Sequence, residues 1–308
     1  MIRFILKRIL LLIPVIIGVT LIVFILMQLS PGDPAQIILG AQASTEDIQN
    51  LREMMGLNDP LPVQFGRFLA GMVRLDFGTS LRDSQPVTQK LMTALPYTIQ
   101  LTFAAIILAL IIGISMGIIS ATHQYSIFDK FATIFALISF STPNFWLSIL
   151  LVILFAVNFR LFPVSGFGDW RYLVLPTIAL GTQTAGVFTR MTRSSMLEVL
   201  NQDFIRTVRA KGLNERSVVY RHALKNALIP IITTIGLQMG ILLGGALLTE
   251  TVFAWPGIGR LMIDSIRAKD TPVVQGGVIV TASVFVTINL LVDILYAYAD
   301  PRIKAQYK

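Results

Sequence analysis

Few residues in this chain of 308 are placed to do covalent chemistry. Gly113-Ile114-Ser115-Met116-Gly117 matches the G-x-S-x-G nucleophile pattern, but a serine nucleophile needs a base within hydrogen-bond reach. The two histidines, His123 and His222, both fall in loops outside the apolar run that holds Ser115. Gly113 and Gly117 read instead as a small-xxx-small packing face. Gly166-Phe167-Gly168-Asp169 matches a G-x-G-D pattern used in aspartate-pair proteolysis, with Asp293 as the candidate second carboxylate. Asp169 sits in a short loop beside Trp170 and Arg171, so a shared-proton pair at membrane depth fails and a turn is the better reading. Neither H-E-x-x-H nor G-x-x-x-x-G-K-[ST] occurs, which removes zinc proteolysis and ATP binding from this chain. Zero cysteines exclude disulfides, thiolate metal sites and cysteine catalysis. The site prediction is therefore no catalytic residue, no metal and no cofactor held by the chain itself.

What remains is a run of cations. Asp203-Phe204-Ile205-Arg206-Thr207-Val208-Arg209-Ala210-Lys211-Gly212-Leu213 is followed by Arg221-His222-Ala223-Leu224-Lys225-Asn226-Ala227-Leu228-Ile229-Pro230. Arg206, Arg209, Lys211, Arg216, Arg221 and Lys225 are too many charges for a lipid-facing seam, and an acidic protein groove or anionic headgroups would attract them. Gly212 permits a positive backbone angle, so two short helices can meet there at a corner. A polybasic lipid anchor would not need that corner.

The elements that must carry this loop are set by composition. Hydrophobic residues make up 54% of the chain and charged residues 14%, against roughly 25% charged in soluble domains, so most of the chain meets lipid. Nucleic acid is excluded as a partner because the net charge of +8 is not spread over a soluble surface. A span needs about 20 apolar residues, and six such segments appear: about Ile9–Leu29, Thr98–Ala121, Phe131–Val157, Leu173–Met196, Leu228–Phe253 and Val278–Tyr298. The fourth is diluted by Thr177, Thr182, Gln183, Thr184 and Thr189, which suits a helix facing a protein-lined path or one buried among helices. The first begins with Arg3, Lys7 and Arg8 but runs about 21 residues, longer than a signal peptide's apolar core, and reads as an uncleaved anchor. The N-terminus, the loop after span two, residues 190–226 and the C-terminus hold 15 of the 25 Lys and Arg. That excess places both termini in the cytoplasm.

The linear division is then an anchor helix over 1–30, a helical extracytoplasmic cap over 31–97, and a five-helix core over 98–308 holding a cytoplasmic loop at 200–226. Within the cap, Ser44-Thr45-Glu46-Asp47 is a capping signature with Gly56 as a stop. Phe65, Phe68, Leu69 and Met72 fall at helical spacing from about Pro62 to Arg74. The competing reading is two interfacial helices lying on lipid. In the core, Ser139, Ser141, Thr142, Pro143 and Asn144 interrupt span three and predict a kink. Gly236, Gly240 and Gly244, beside Gln238, form a close-packing stripe. Asn289 and Asp293 lie near the end of the last span, where a carboxylate is costly unless it faces protein or water. The polar residues assigned to a path are Ser141, Asn144, Gln183, Gln238 and Asn289.

Several stretches carry a family likeness: Pro31-Gly32-Asp33-Pro34, the segments 56–65 and 75–80, the Arg206–Pro230 loop, Glu250-Thr251-Val252-Phe253-Ala254-Trp255-Pro256-Gly257-Ile258-Gly259, and Asp300-Pro301-Arg302. With them the chain resembles the permease subunits of dipeptide, oligopeptide and nickel ABC importers. The general importer pattern opens its coupling loop with Glu-Ala-Ala, three residues and Gly; here Arg206-Thr207-Val208 replaces Glu-Ala-Ala and Gly212 is kept. The resemblance implies an all-α integral membrane protein with six transmembrane helices in the type I ABC importer permease fold. It further implies a second homologous permease, two cytosolic ABC ATPases that bind ATP and Mg2+, an extracytoplasmic substrate-binding protein, and residence in a bacterial or archaeal cytoplasmic membrane. Asp203, Arg206, Thr207, Arg209, Ala210, Lys211, Gly212, Leu213, Arg221 and His222 would couple to the ATPases, and Phe65, Phe68 and Trp255 would seat the binding protein. The implied cargo is di- or oligopeptides, with nickel chelates or glutathione as the alternative. An ion-coupled secondary transporter using Asp293 is the reading from a different class, disfavoured because one acidic residue lies in a span and no inverted repeat is visible.

Overall fold

The computed structural model of the chain describes residues 2–29, 33–40 and 42–299. Pro31, Gly32, the Asp300-Pro301-Arg302 motif and the side chain of Asp293 lie outside the described residues. Four helices come first: α1 (Ile2–Gln28), α2 (Pro34–Leu39), α3 (Thr45–Met54) and α4 (Leu61–Val73). Then come α5 (Val87–Thr122), α6 (Ile127–Ser141) and α7 (Asn144–Leu151), the last running on as a π-helix over Val152–Asn158. After α8 (Arg171–Leu200) and α9 (Asp203–Ala210), the short α10 (Glu215–Ser217) leads through a second π-helix, Val218–Ala223, into α11 (Leu224–Val252). The last two helices are α12 (Ile258–Arg267) and α13 (Thr271–Ala299).

Among the described residues, four segments are long and apolar enough to cross a membrane: Leu10–Gln28, Val87–Thr122, Glu215–Gly244 and Thr271–Val292. The pair α6 and α7 makes a fifth, bent by 104°. The bend follows from Pro143, which has no N–H to donate and drives Thr142 out of the helical region, to φ −85° and ψ 121°. The freed end is closed locally, where the Thr142 amide and hydroxyl both donate to Ile138 O at 3.0 and 2.7 Å. The sequence reading expected a kink here; the change of direction is larger than that. The sixth segment, α8, has 30 residues, about 45 Å of helix. Its threonines keep it below the apolarity of the others, and they turn inward: Thr184, Thr189 and Thr192 are buried. Thr182 and Thr189 donate to the carbonyls of Ile178 and Ala185 one turn back. The helix also extends to Leu200, so Arg190 and Arg193, counted above with the 190–226 loop, belong to α8.

The packing forms two compact units that do not follow the linear division. The first is built on Ile99–Trp255 with Thr287 onward. In it, α5 and α8 run parallel and touch at backbone distance. A Cβ added at Gly113 would lie 2.4 Å from Phe188 Cβ, and one at Gly117 would lie 2.5 Å from Thr192 Cβ. The G-x-S-x-G stretch is thus a helix seam. Of the α11 glycines, Gly236 approaches Val292 Cγ1 (2.7 Å from an added Cβ), whereas nothing lies within 4 Å of an added Cβ at Gly244.

The second unit joins Ile5–Thr98 to Pro256–Val286. Phe24 of α1 packs on Phe65 and Phe68 of α4, with ring centroids 5.4 and 6.1 Å apart. Ser44 caps α3 as expected, accepting from the Asp47 amide at 3.1 Å, yet α3 has no buried residue. The segment before α5 is tied to the start of α13 through buried Asp270, whose Oδ2 accepts from Ser80 Oγ and whose Oδ1 accepts from the Leu81 amide at 3.0 Å. Lys90 pairs with Asp83 at 2.7 Å. The hydrogen bond from Lys90 holds the Asp83 carboxyl down at about 2.

Candidate coupling loop and path

The cationic loop folds as two short helices about a corner. Asp203 opens α9, where a carboxylate complements the helix N-terminus, and Arg209 lies in the last turn, where a cation does. Ile205 is completely buried among Ile118, Ala121, Met196, Val199, Val218, Val219, Ala223 and Ala227. Those neighbours come from α5, α8, the second π-helix and α11, so one isoleucine plugs the loop into the span ends. Phe204, Arg206 and Thr207 on the other face are exposed. At the corner Gly212 has φ +78°, and its amide donates to Arg209 O at 2.9 Å. Asn214 caps the next helix by accepting from the Ser217 amide at 2.8 Å. Arg209 spans the corner with a two-pronged pair to Glu215, Nε to Oε1 at 2.7 Å and Nη2 to Oε2 at 3.3 Å. Sequence reasoning missed Glu215; two opposite charges flanking a corner glycine were the signal.

Ala210, Lys211, Leu213 and Arg221 are exposed, and His222 is half-buried within the π-helix. Asp203 and Arg206 sit 3.5 Å apart and mostly in solvent. The outer surface of the loop is therefore cationic and open, while its inner surface is apolar and fixed. A cavity of about 570 Å³ lies between the loop and the ends of α5 and α8, lined by Ile118, His123, Leu200, Arg209, Arg216 and Tyr220 among others.

A second fastening lies nearby. Asp129, at the start of α6, accepts Arg193 Nε at 2.7 Å and Nη2 at 2.9 Å, Ser120 Oγ at 2.5 Å and the Tyr125 amide at 2.9 Å. All four acceptor positions of the carboxylate are used, and side-chain exposures are 29% for Arg193 and 6% for Asp129. This fork pins α6 to α8 about two turns before α8 gives way to α9, and the sequence reading did not find it.

Of the five polar residues assigned to a path, three fall at or beside the α6–α7 break. Ser141 and Asn144 flank the α6–α7 break, and the Gln183 amide reaches Phe140 O beside them at 3.4 Å. Gln238 is buried on α11 and Asn289 is half-buried on α13. The three docking residues are less exposed than expected. Phe65 and Phe68 lean on α1, and Trp255 is 1% exposed, edge-on to Phe167 at 5.3 Å. Trp255 is a core contact in this conformation, because the turn after α11 folds its ring inward.

Comparison with known proteins identifies the family. Residues 113–305 match the family described as binding-protein-dependent transport system inner membrane component, and residues 1–102 match the N-terminal region described for such membrane components. The chain is 47% identical to the dipeptide transport system permease protein DppB of Alkalihalophilus pseudofirmus, covering 99% of this chain and 100% of that one. It is 41% identical to the oligopeptide transport system permease protein AppB of Bacillus subtilis, covering 99% and 100%. It is also 41% identical to the glutathione transport system permease protein GsiC of Salmonella paratyphi A, covering 99% of each. Among solved structures, the inward-facing MetNI methionine ABC transporter superposes with a TM-score of 0.61 at 18% identity, over 70% of this chain and 99% of that one. That likeness is one of fold.

Proposed function

Because the chain belongs to the binding-protein-dependent transport system inner membrane components, we propose that it is the peptide-carrying permease of an ATP-driven importer, paired with a second permease and driven by two cytosolic ATPases. The chain is a multi-pass membrane subunit and does no catalysis itself. ATP and Mg2+ act on the ATPases. Di- and oligopeptides, delivered by an extracytoplasmic binding protein, are the cargo, in keeping with the dipeptide and oligopeptide relatives. The observation that carries this reading is the coupling loop itself, a cationic corner presented outward and plugged by Ile205 into the ends of α5, α8 and α11.

Mechanically, closing ATPases would push α9, and the plug would pass that push to the span ends. The Asp129–Arg193 fork makes α6 move with α8. With this loop and both termini in the cytoplasm, the bundle would rock between inward-facing and outward-facing states. The segment between α1 and α5 would lie outside and seat the binding protein, through exposed side chains such as Met54 and Val73 rather than Trp255.

The test is reconstitution. Proteoliposomes holding the permease pair, the ATPases and the loaded binding protein should accumulate dipeptide only with ATP, unaffected by collapse of ion gradients, and the chain alone should hydrolyse no ATP. Uptake driven by an ion gradient without ATP, and lost in Asp293→Asn, would replace this reading with a secondary transporter. A second cargo deserves the same assay on a specific ground, the 41% identity to a glutathione permease; glutathione uptake with no peptide uptake would move the assignment there.

A further inference from the structure

Arg190 is the one exposed residue of α8 between Tyr172 and Arg193. On that face Gln183, Val187, Arg190 and Ser194 follow one another at helical spacing, half-buried or exposed while the remainder of the helix is largely packed. The register against α6 is antiparallel, fixed by Arg193 on Asp129, Gly186 against Ala136 and Gln183 on Phe140. It sets the Arg190 backbone level with about Ala132. Yet the guanidinium lies 5.6 Å from the ring centroid of Phe140, eight residues and about 12 Å farther along α6. The side chain thus points away from the 123–126 loop and toward the α6–α7 break, meeting a phenyl ring that also leans back along its helix.

That direction is informative. An arginine facing lipid one turn inside Arg193 would bend its head to the nearer aqueous end. This one extends toward the middle of the span, where a cation is tolerated only beside protein or water. The Phe140 face holds the guanidinium in place without cancelling its charge. Asp129 is taken up by Arg193, and among the described residues Arg190 makes no ion pair. Its fork of donors stands ready for a planar anion, while Gln183, Ser141 and Asn144 nearby offer neutral groups suited to peptide bonds.

We propose that Arg190 is a substrate-reading residue of the translocation path, receiving the terminal carboxylate of a peptide as it passes the α6–α7 break. This rests on the peptide-permease reading above. The test uses the full complex in proteoliposomes, comparing a dipeptide with its C-terminal amide, each at a concentration that saturates the binding protein. The wild type should carry both and favour the free acid. Arg190→Gln should lower free-acid uptake roughly tenfold to a hundredfold, the cost of one charge-assisted fork, and leave amide uptake and stimulated ATP hydrolysis within about twofold. Arg190→Lys, which keeps the charge but not the fork, should fall between.

Equal loss for acid and amide, with impaired assembly, would overturn the proposal and assign Arg190 to an acidic residue of the second permease. No loss for either substrate would overturn it as well. Failure of the wild type to carry any peptide would instead remove the cargo reading, and this proposal with it.

Discussion

At Gly212 the constraint is angle and not space. Nothing lies within 4 Å of an added Cβ, and φ is +78°, so a substitution there is felt only through the backbone. Holding an ordinary L-residue in this region costs about 1–2 kcal/mol, more for a β-branched one and less for asparagine. An energy of that size changes a conformational ratio by about 5–30-fold. Gly212→Val should therefore cut uptake and substrate-stimulated ATP hydrolysis by roughly that factor, while Gly212→Asn stays near wild type. Measuring both activities in one preparation checks this. Wild-type coupling in Gly212→Val would mean that the Arg209–Glu215 fork sets the corner without the glycine. Alanine at Glu215 would be a poor substitute test, since it changes charge and shape together.

At the scale of elements, the Asp129–Arg193 fork ties α6 to α8. Removing Arg193 leaves a carboxylate with a 6% exposed side chain held only by Ser120 and the Tyr125 amide, and stripping one partner from a buried pair costs up to about 3–5 kcal/mol. Removing the carboxylate instead leaves an arginine that is 29% exposed and can turn to water. Thermal unfolding of the assembled complex should consequently rank Arg193→Gln below Asp129→Asn, with the double variant losing less than the two losses combined. Additive losses would mean that the fork does not tie these helices.

A fastening like this is hard to read from sequence because its ends are 64 residues apart and neither belongs to a periodic pattern. The apolar spans, the Ser44 cap and the Gly212 corner were legible because each is set locally, by length, by one side chain, or by one angle. The π-helices at Val152–Asn158 and Val218–Ala223 were not, since an extra residue per turn leaves no mark on composition. Trp255 was misjudged for a related reason. A large aromatic ring in a turn suggests a surface, and it is tertiary packing, the edge-on contact with Phe167 included, that holds it inward.

For the whole molecule the open choice concerns α6 and α7, since a 104° bend fits either a broken span or a loop that dips in and returns. Packing favours the broken span. In the α6 half, contacts proceed along α8 from Arg193 to Gln183. Beyond the break, Leu151 and Ala156 cluster with Leu175 and Ala179, so the chain keeps advancing toward the start of α8. On this reading two crossings separate α3 from the loop before α8, and α8 would supply one more. The natural sequence has no cysteine, so single cysteines at exposed Gln49, Ser165 and Lys211 report without background. A membrane-impermeant thiol reagent applied to intact cells should label positions 49 and 165 and spare 211, which becomes reactive only after the membrane is opened. Labelling of 211 along with the other two would remove α8 as a span; labelling of 49 and 211 but not 165 would make α6–α7 a re-entrant loop and put the coupling corner on the side where no ATPase could reach it.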